Sequence, residues 1–188
     1  MKYFLAVTLL IFNTSVYAEQ IDIGDIGEVT WGLYTEASGV GSTAWGQSAD
    51  ASGKMSTAWI SGEASGHSST AWVSGKASGH SSTAWGSAQA SGFNSTSWGA
   101  GNKASGYNST AWGSSNKVSA DHSTSWGDQN TASGRASTVW GIGSLASARY
   151  STAFGRRAYA EGEVSTAIGN DIKVTGYKSV AIGLYDHY

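Results

Sequence analysis

The sequence has no cysteine and no proline in 188 residues, and charged residues make up only 13% of it. Without cysteine there is no disulfide framework, so a small exported domain must draw its stability from another source, and repetitive hydrogen-bonded stacking is one. Without proline, turns fall to glycine, serine and asparagine. The charged share is about half that of an ordinary globular domain. The formal net charge of −2 leaves no basic footprint for a phosphate backbone, which argues against nucleic acid as a partner. Beyond the amino terminus, no run approaches the roughly 20 apolar residues of a membrane-spanning helix. In contrast, glycine (26 residues) and tryptophan (9 residues) are abundant.

The amino terminus reads as an export signal. Met1-Lys2-Tyr3 carries a positive charge, Phe4 to Phe12 is a short apolar run, and Ser15-Val16-Tyr17-Ala18 supplies small residues for cleavage. This pattern predicts a secretory signal peptide over 1–18, too short for a span and not part of the fold. Residues 19–36 then form an amino-terminal cap and partial repeat, with Trp31-Gly32 already in the phase of the later copies.

From residue 37 to 188 one short unit recurs. The first copy is Ala37-Ser38-Gly39-Val40-Gly41-Ser42-Thr43-Ala44-Trp45-Gly46, and later copies begin at Ala51, Ala64, Ala77, Ala90, Ala104, Val118, Ala132, Ala146, Ala160 and Val174. Most copies are fourteen residues long; those starting at Ala51, Ala64 and Ala77 have lost one residue between the tryptophan and the next alanine. A tolerated deletion marks a turn, because inside a strand it would flip every following side chain. The Ser-Thr-Ala-Trp-Gly segment alternates and is bounded by turn residues, so it predicts a strand of about five residues; Ala-Ser-Gly predicts a second, shorter one. The result is an all-β, parallel β-solenoid of about eleven 13–14-residue coils. At about 4.8 Å per rung it is a rod on the order of 50 Å long. The glycine and serine content, and the lack of a 3.6-residue apolar stripe, exclude a helical repeat.

Alternation sorts each long strand into a small face and a large face. Ser42 and Ala44, with their counterparts in every copy, suit the inside of a narrow coil. The large set then forms two outward ladders, the candidate interface or ligand surface. One is Thr43, Thr57, Thr70, Thr83, Thr96, Thr110, Thr124 and Thr138, continuing through Thr152 and Thr166. The other is Trp45, Trp59, Trp72, Trp85, Trp98, Trp112, Trp126 and Trp140, ending in Phe154, Ile168 and Ile182. The reverse arrangement, with indoles inside against alanine and glycine, is also physically possible. An outward tryptophan ladder exceeds the apolar patch a monomer commonly exposes, so it needs a cover. Self-association is the first such cover. A Thr/Trp face that binds ice or carbohydrate directly is the alternative.

Ser165-Thr166-Ala167-Ile168-Gly169 and Ser179-Val180-Ala181-Ile182-Gly183, with Ala160-Glu161-Gly162 and Val174-Thr175-Gly176 between them, carry a resemblance. The chain resembles the head domain of trimeric autotransporter adhesins, in which Ser-Val-Ala-Ile-Gly recurs about every fourteen residues. The resemblance covers 37–188. It implies a left-handed parallel β-roll, a homotrimer with the apolar strand face on the three-fold axis, and secreted or cell-surface attachment to host cells, matrix or another macromolecule. Most copies depart from that pattern by carrying threonine and tryptophan where the family has valine and isoleucine. Stalk heptads and membrane-spanning strands are not found within these residues, so a free head, a truncated product or a secreted derivative is expected.

Catalytic chemistry finds little support, and the chain is expected not to be an enzyme. His67 and His80 share one turn position in successive coils, but two histidines without a third ligand read as solvated turn residues. Glu161 and Glu163 read as an exposed pair, and no Ser-His-Asp constellation or phosphate loop is present. No cofactor is expected. The fourth position of the repeat varies freely (Val40, Lys54, His67, His80, Phe93, Tyr107, Asp121, Arg135, Arg149, Glu163, Tyr177), as a recognition edge does and as a turn under little constraint also does, the second being the preferred reading. Asn94-Ser95-Thr96 and Asn108-Ser109-Thr110 match a glycan acceptor pattern that the repeat itself generates.

Overall fold

The computed structural model describes residues 21–23 and 27–184; the expected signal peptide lies outside them. Every regular element among these residues is a strand, arranged in two sheets. The first sheet has thirteen strands, from Ile21–Ile23 and Val29–Leu33 through Thr43–Gln47 to Val180–Leu184. The second has eleven two-residue strands, from Glu36–Ala37 to Lys173–Val174. The chain alternates between the sheets, one long and one short strand per coil, giving the parallel β-solenoid of about eleven turns that the repeat predicts. Only the first pair departs from parallel: Ile21–Ile23 runs antiparallel to Val29–Leu33.

Register is in phase throughout. Thr96 pairs with Thr110, Ser97 with Ala111, Trp98 with Trp112 and Gly99 with Gly113, and the pattern recurs up the stack. Each residue type therefore becomes a column, because parallel in-register stacking places every position above its equivalent. The interior columns are small. Ala44, Ala58, Ala71 and Ala84, with Ser42, Ser56, Ser69 and Ser82, are at most 1% exposed, and Val118 and Val139 are the largest apolar side chains fully enclosed. Several buried serine hydroxyls donate to the carbonyl three residues back, as Ser69 does to Gly66 at 2.7 Å, so part of the polar content of a narrow core is met by its own turns, while the hydroxyls of Ser42 and Ser56 have no such partner.

The short strand begins one residue earlier than the sequence suggests. It comprises the alanine and the residue before it, as in Asp50–Ala51, while Ser-Gly belongs to the turn. The reason is steric. A Cβ on Gly53 would stand 2.1 Å from the Gly66 carbonyl oxygen, so the turn backbones approach more closely than a pleated strand with side chains allows. A second glycine column, directly after the tryptophan, is required for both reasons at once: Gly113 has φ +112°, and a Cβ there would lie 2.1 Å from the oxygen of Gly127.

The one-residue deletions fall where expected. In the thirteen-residue coils the long strand shrinks from five residues to three, Thr57–Trp59 against Thr43–Gln47. The chain then turns through left-handed Ile60 and Ser61, at φ 37° and 58°. Thr, Ala and Trp keep their register across the change, so the columns run unbroken.

Candidate interaction face

The long strands turn serine and alanine inward and threonine and tryptophan outward. The arrangement with indoles inside the coil is therefore not the one adopted: the coil is too thin for them, and alanine already closes it. Trp45, Trp98, Trp112, Trp126 and Trp140 are 37–51% exposed on the isolated chain, and Trp59, Trp72 and Trp85 are half-buried. Thr43 and its counterparts are mostly half-buried beside them, and the column ends in exposed Phe154, half-buried Ile168 and exposed Ile182.

From Trp45 to Trp140 the indoles form one continuous stack, with centroids 4.5–5.2 Å apart and planes within 2–15° of parallel. The strand spacing of about 4.8 Å is close to the separation that offset aromatic stacking favours, so rung and ring repeat reinforce each other. The stack breaks only at its ends, where Trp31 tilts 42° to Trp45 and Phe154 meets Trp140 edge-on. This geometry removes the basis for sugar stacking along the ladder. Each indole face is covered by the next indole, and the column presents ring edges. A column of bulky indoles runs beside the threonines, so the face is not the all-threonine plane that ordering ice would use.

The turn edge carries a second stack, at the position whose free variation in the sequence suggested little constraint. His67 and His80 are parallel at 4.7 Å, His80 and Phe93 at 4.8 Å, and Phe93 and Tyr107 at 5.2 Å. Each imidazole exchanges a hydrogen bond with the next serine, His67 Nδ1 with Ser68 Oγ and His80 Nδ1 with Ser81 Oγ, both at 2.9 Å. Farther along, Arg149 packs over the Tyr150 ring and donates to its hydroxyl at 3.3 Å. That hydrogen bond, and then the guanidinium charge, pull the phenol below its ordinary pKa.

Two further columns went unread in the sequence. Asn102, Asn116 and Asn130 are buried one above another at the turn after the long strand. Asn116 Nδ2 donates to the carbonyls of Trp112 (2.8 Å) and Gly127 (2.7 Å), and its Oδ1 accepts the Asn130 amide at 3.0 Å. Ser144 ends the ladder, accepting from the Ala158 amide and donating to Gly155. The fourteen-residue recurrence of asparagine two places before the repeat's first residue is the signal that would have found it.

The other column is the outward position of the short strands, and its charges are sorted by sign. Glu36, Asp50 and Glu63 come first, then Lys76, Gln89, Lys103 and Lys117, each in register with the next. Where the signs meet, Lys76 Nζ lies 2.6 Å from Glu63 Oε2, and that hydrogen bond, followed by the carboxylate charge, raises the lysine pKa.

These features define a class: an in-register parallel β-solenoid with an alanine-and-serine core, whose faces are columns of single residue types. Residues 90–116, 104–129, 146–171 and 160–185 match the family model of the YadA head domain repeat (2 copies). These stretches are similar to the repeat of trimeric autotransporter adhesin heads. No curated protein matches it. Heads of this family are trimeric and occur in surface-exposed adhesins. Among the described residues, no helix is long and apolar enough to cross a membrane.

Proposed function

We propose that the protein is a non-enzymatic attachment module, exported by its 1–18 leader, whose 37–188 rod acts as a homotrimer binding host cells, matrix or another surface macromolecule. In this reading the Thr/Trp face turns to the three-fold axis. The observation that carries it is the exposed indole stack. A tryptophan can bury roughly 150–250 Å². The five indoles exposed by about two fifths therefore offer on the order of 300–500 Å² before Trp59, Trp72, Trp85 and Phe154 are added. That already reaches the largest patch a typical monomer carries, about 300–600 Å². The threonine and tryptophan columns are uncharged, so three parallel copies can meet there without opposing like charges. The short-strand column does not have this property, since parallel copies would set acid against acid and base against base.

Light scattering on the purified protein tests this reading. The expected mass is three chains, with tryptophan emission blue-shifted and shielded from soluble quenchers. Trp112→Asp/Trp126→Asp should yield monomers or aggregates, because charge placed in the seam is desolvated without a partner. A well-folded monomer whose indoles quench freely would overturn the trimer.

A further inference from the structure

We infer that the short-strand column is a second self-recognition surface, on which two rods pair side by side in antiparallel orientation. The inference rests on the adhesin-like reading and supplies a partner for the side of the rod that the trimer seam leaves free. The column reads acid, acid, acid, base, neutral, base, base over seven successive rungs. A second copy turned end for end reads the opposite order. Centred on Lys76, the two-fold operation sets Glu36 against Lys117 of the second copy and Asp50 against its Lys103, and symmetry repeats both contacts.

The registers make this match possible. Every rung from Glu36 to Lys117 is paired to the next within one parallel sheet, so the charges stand at a regular pitch of about 4.8 Å. Two rods of identical pitch stay in step along the whole overlap. Glu36, Lys103 and Lys117 are exposed, and Asp50 is half-buried. None of these four has an ion-pair partner within the described residues. At the centre, Lys76 is already neutralised by its own Glu63 at 2.6 Å, which softens the one place where like charges face each other. An in-phase parallel arrangement sets acid against acid and base against base and is rejected, whereas antiparallel registers centred at or next to Lys76 oppose unlike charges, so the column encodes direction as well as affinity.

Each exposed ion pair is weak alone, so the contact is reversible, salt-sensitive and strengthened when several columns act together. Opposite orientation is the geometry of rods reaching toward each other from two surfaces. Sedimentation velocity at about 0.1 M and about 0.5 M salt tests it, since screening shortens the Debye length from roughly 10 Å toward a few ångströms. The wild-type protein should associate beyond its basic unit at low salt and dissociate at high salt. Lys103→Glu/Lys117→Glu and Glu36→Lys/Asp50→Lys should each weaken self-association by roughly tenfold or more, as expected for loss of several pairs, with unchanged circular dichroism. Mixed together, the two variants should associate again, one column now acidic at every charged rung but Lys76 and the other basic at every charged rung but Glu63. Absence of salt-dependent association in the wild type, or failure of the mixture to pair, overturns the inference. A basic unit of one chain that still pairs this way would refute the trimer and leave this surface standing.

Discussion

The thirteen-residue coils between Ala51 and Gln89 and the fourteen-residue coils beyond them build the same three outward columns by different local means. In both, the tryptophan carbonyl must be satisfied where the chain leaves the long strand. Two of the short coils do it with backbone: the Gly62 amide donates to Trp59 O at 3.0 Å, and that of Gly75 to Trp72 O at 3.1 Å. The coils from Trp98 to Trp126 do it with the asparagine ladder, whose Nδ2 groups reach the Trp98, Trp112 and Trp126 carbonyls at 2.6–3.0 Å. One residue more in the turn moves the amide out of reach, and a buried side chain takes its place. At these five turns length and residue identity go together, and the stack accepts either solution.

The sharpest way to break this equivalence is at the residue after tryptophan. Gly113→Ala puts a Cβ against the Gly127 carbonyl on a backbone at φ +112°, and should cost more than about 3 kcal/mol. Ile60→Ala, at the corresponding place in a short coil where the side chain is exposed, should stay within about 0.5 kcal/mol. Chemical denaturation of the two variants would measure the contrast, and comparable losses would show that the coils are not built differently there.

Asn116→Ala comes next. It strips hydrogen bonds from the Trp112 and Gly127 carbonyls and the Asn130 amide. The expected loss is about 3 kcal/mol, since each buried group left unpaired costs roughly 1–3 kcal/mol and some relaxation is expected. A loss below that of Ser144→Ala, which breaks two close contacts and a 3.5 Å one to the Ile142 carbonyl, would contradict the role given to the ladder.

The smallest effect should come from converting one class into the other. Deleting Ala100 together with Asn102→Gly gives the coil after Trp98 the spacing of the short coils. The rod should remain folded at a cost of about 2 kcal/mol, from the hydrogen bonds lost by the Asn116 amide and the Gly113 carbonyl. Global unfolding, or loss of the stacked-indole circular dichroism signal, would mean that the two turn designs cannot be interchanged.

Fold and phase were legible because the repeat writes the same alternation eleven times: a run such as Ser42-Thr43-Ala44-Trp45, or Ser165-Thr166-Ala167-Ile168, specifies small-in, large-out regardless of its neighbours. The deletion at the Trp-to-Ala turn was legible for the same reason. What escaped the sequence depends on neighbours in the stack rather than in the chain. Asn116 looks like an ordinary turn residue until Asn102 and Asn130 stand below and above it. The carbohydrate reading of the tryptophan ladder loses its footing similarly, since a single indole offers two faces and an indole between two others offers none. The sorted charges from Glu36 to Lys117 lie thirteen or fourteen residues apart, each beside a repeat alanine or valine that draws the eye away from them.

The antiparallel strand Ile21–Ile23 has a consequence for the rod as a growing object. A parallel stack resembles a one-dimensional crystal: any exposed rung is a seed on which another coil of the same polarity can grow, from the same chain or a stranger. Laying a strand of reversed direction over Val29–Leu33 changes the hydrogen-bonding pattern offered at that end, from the evenly spaced ladder of parallel neighbours to the alternating one of antiparallel pairs. A further repeat arriving there no longer finds its own lattice. The reversal works as a chain terminator, setting where the count of rungs begins and keeping a sequence so well suited to indefinite stacking from becoming a fibre at that end.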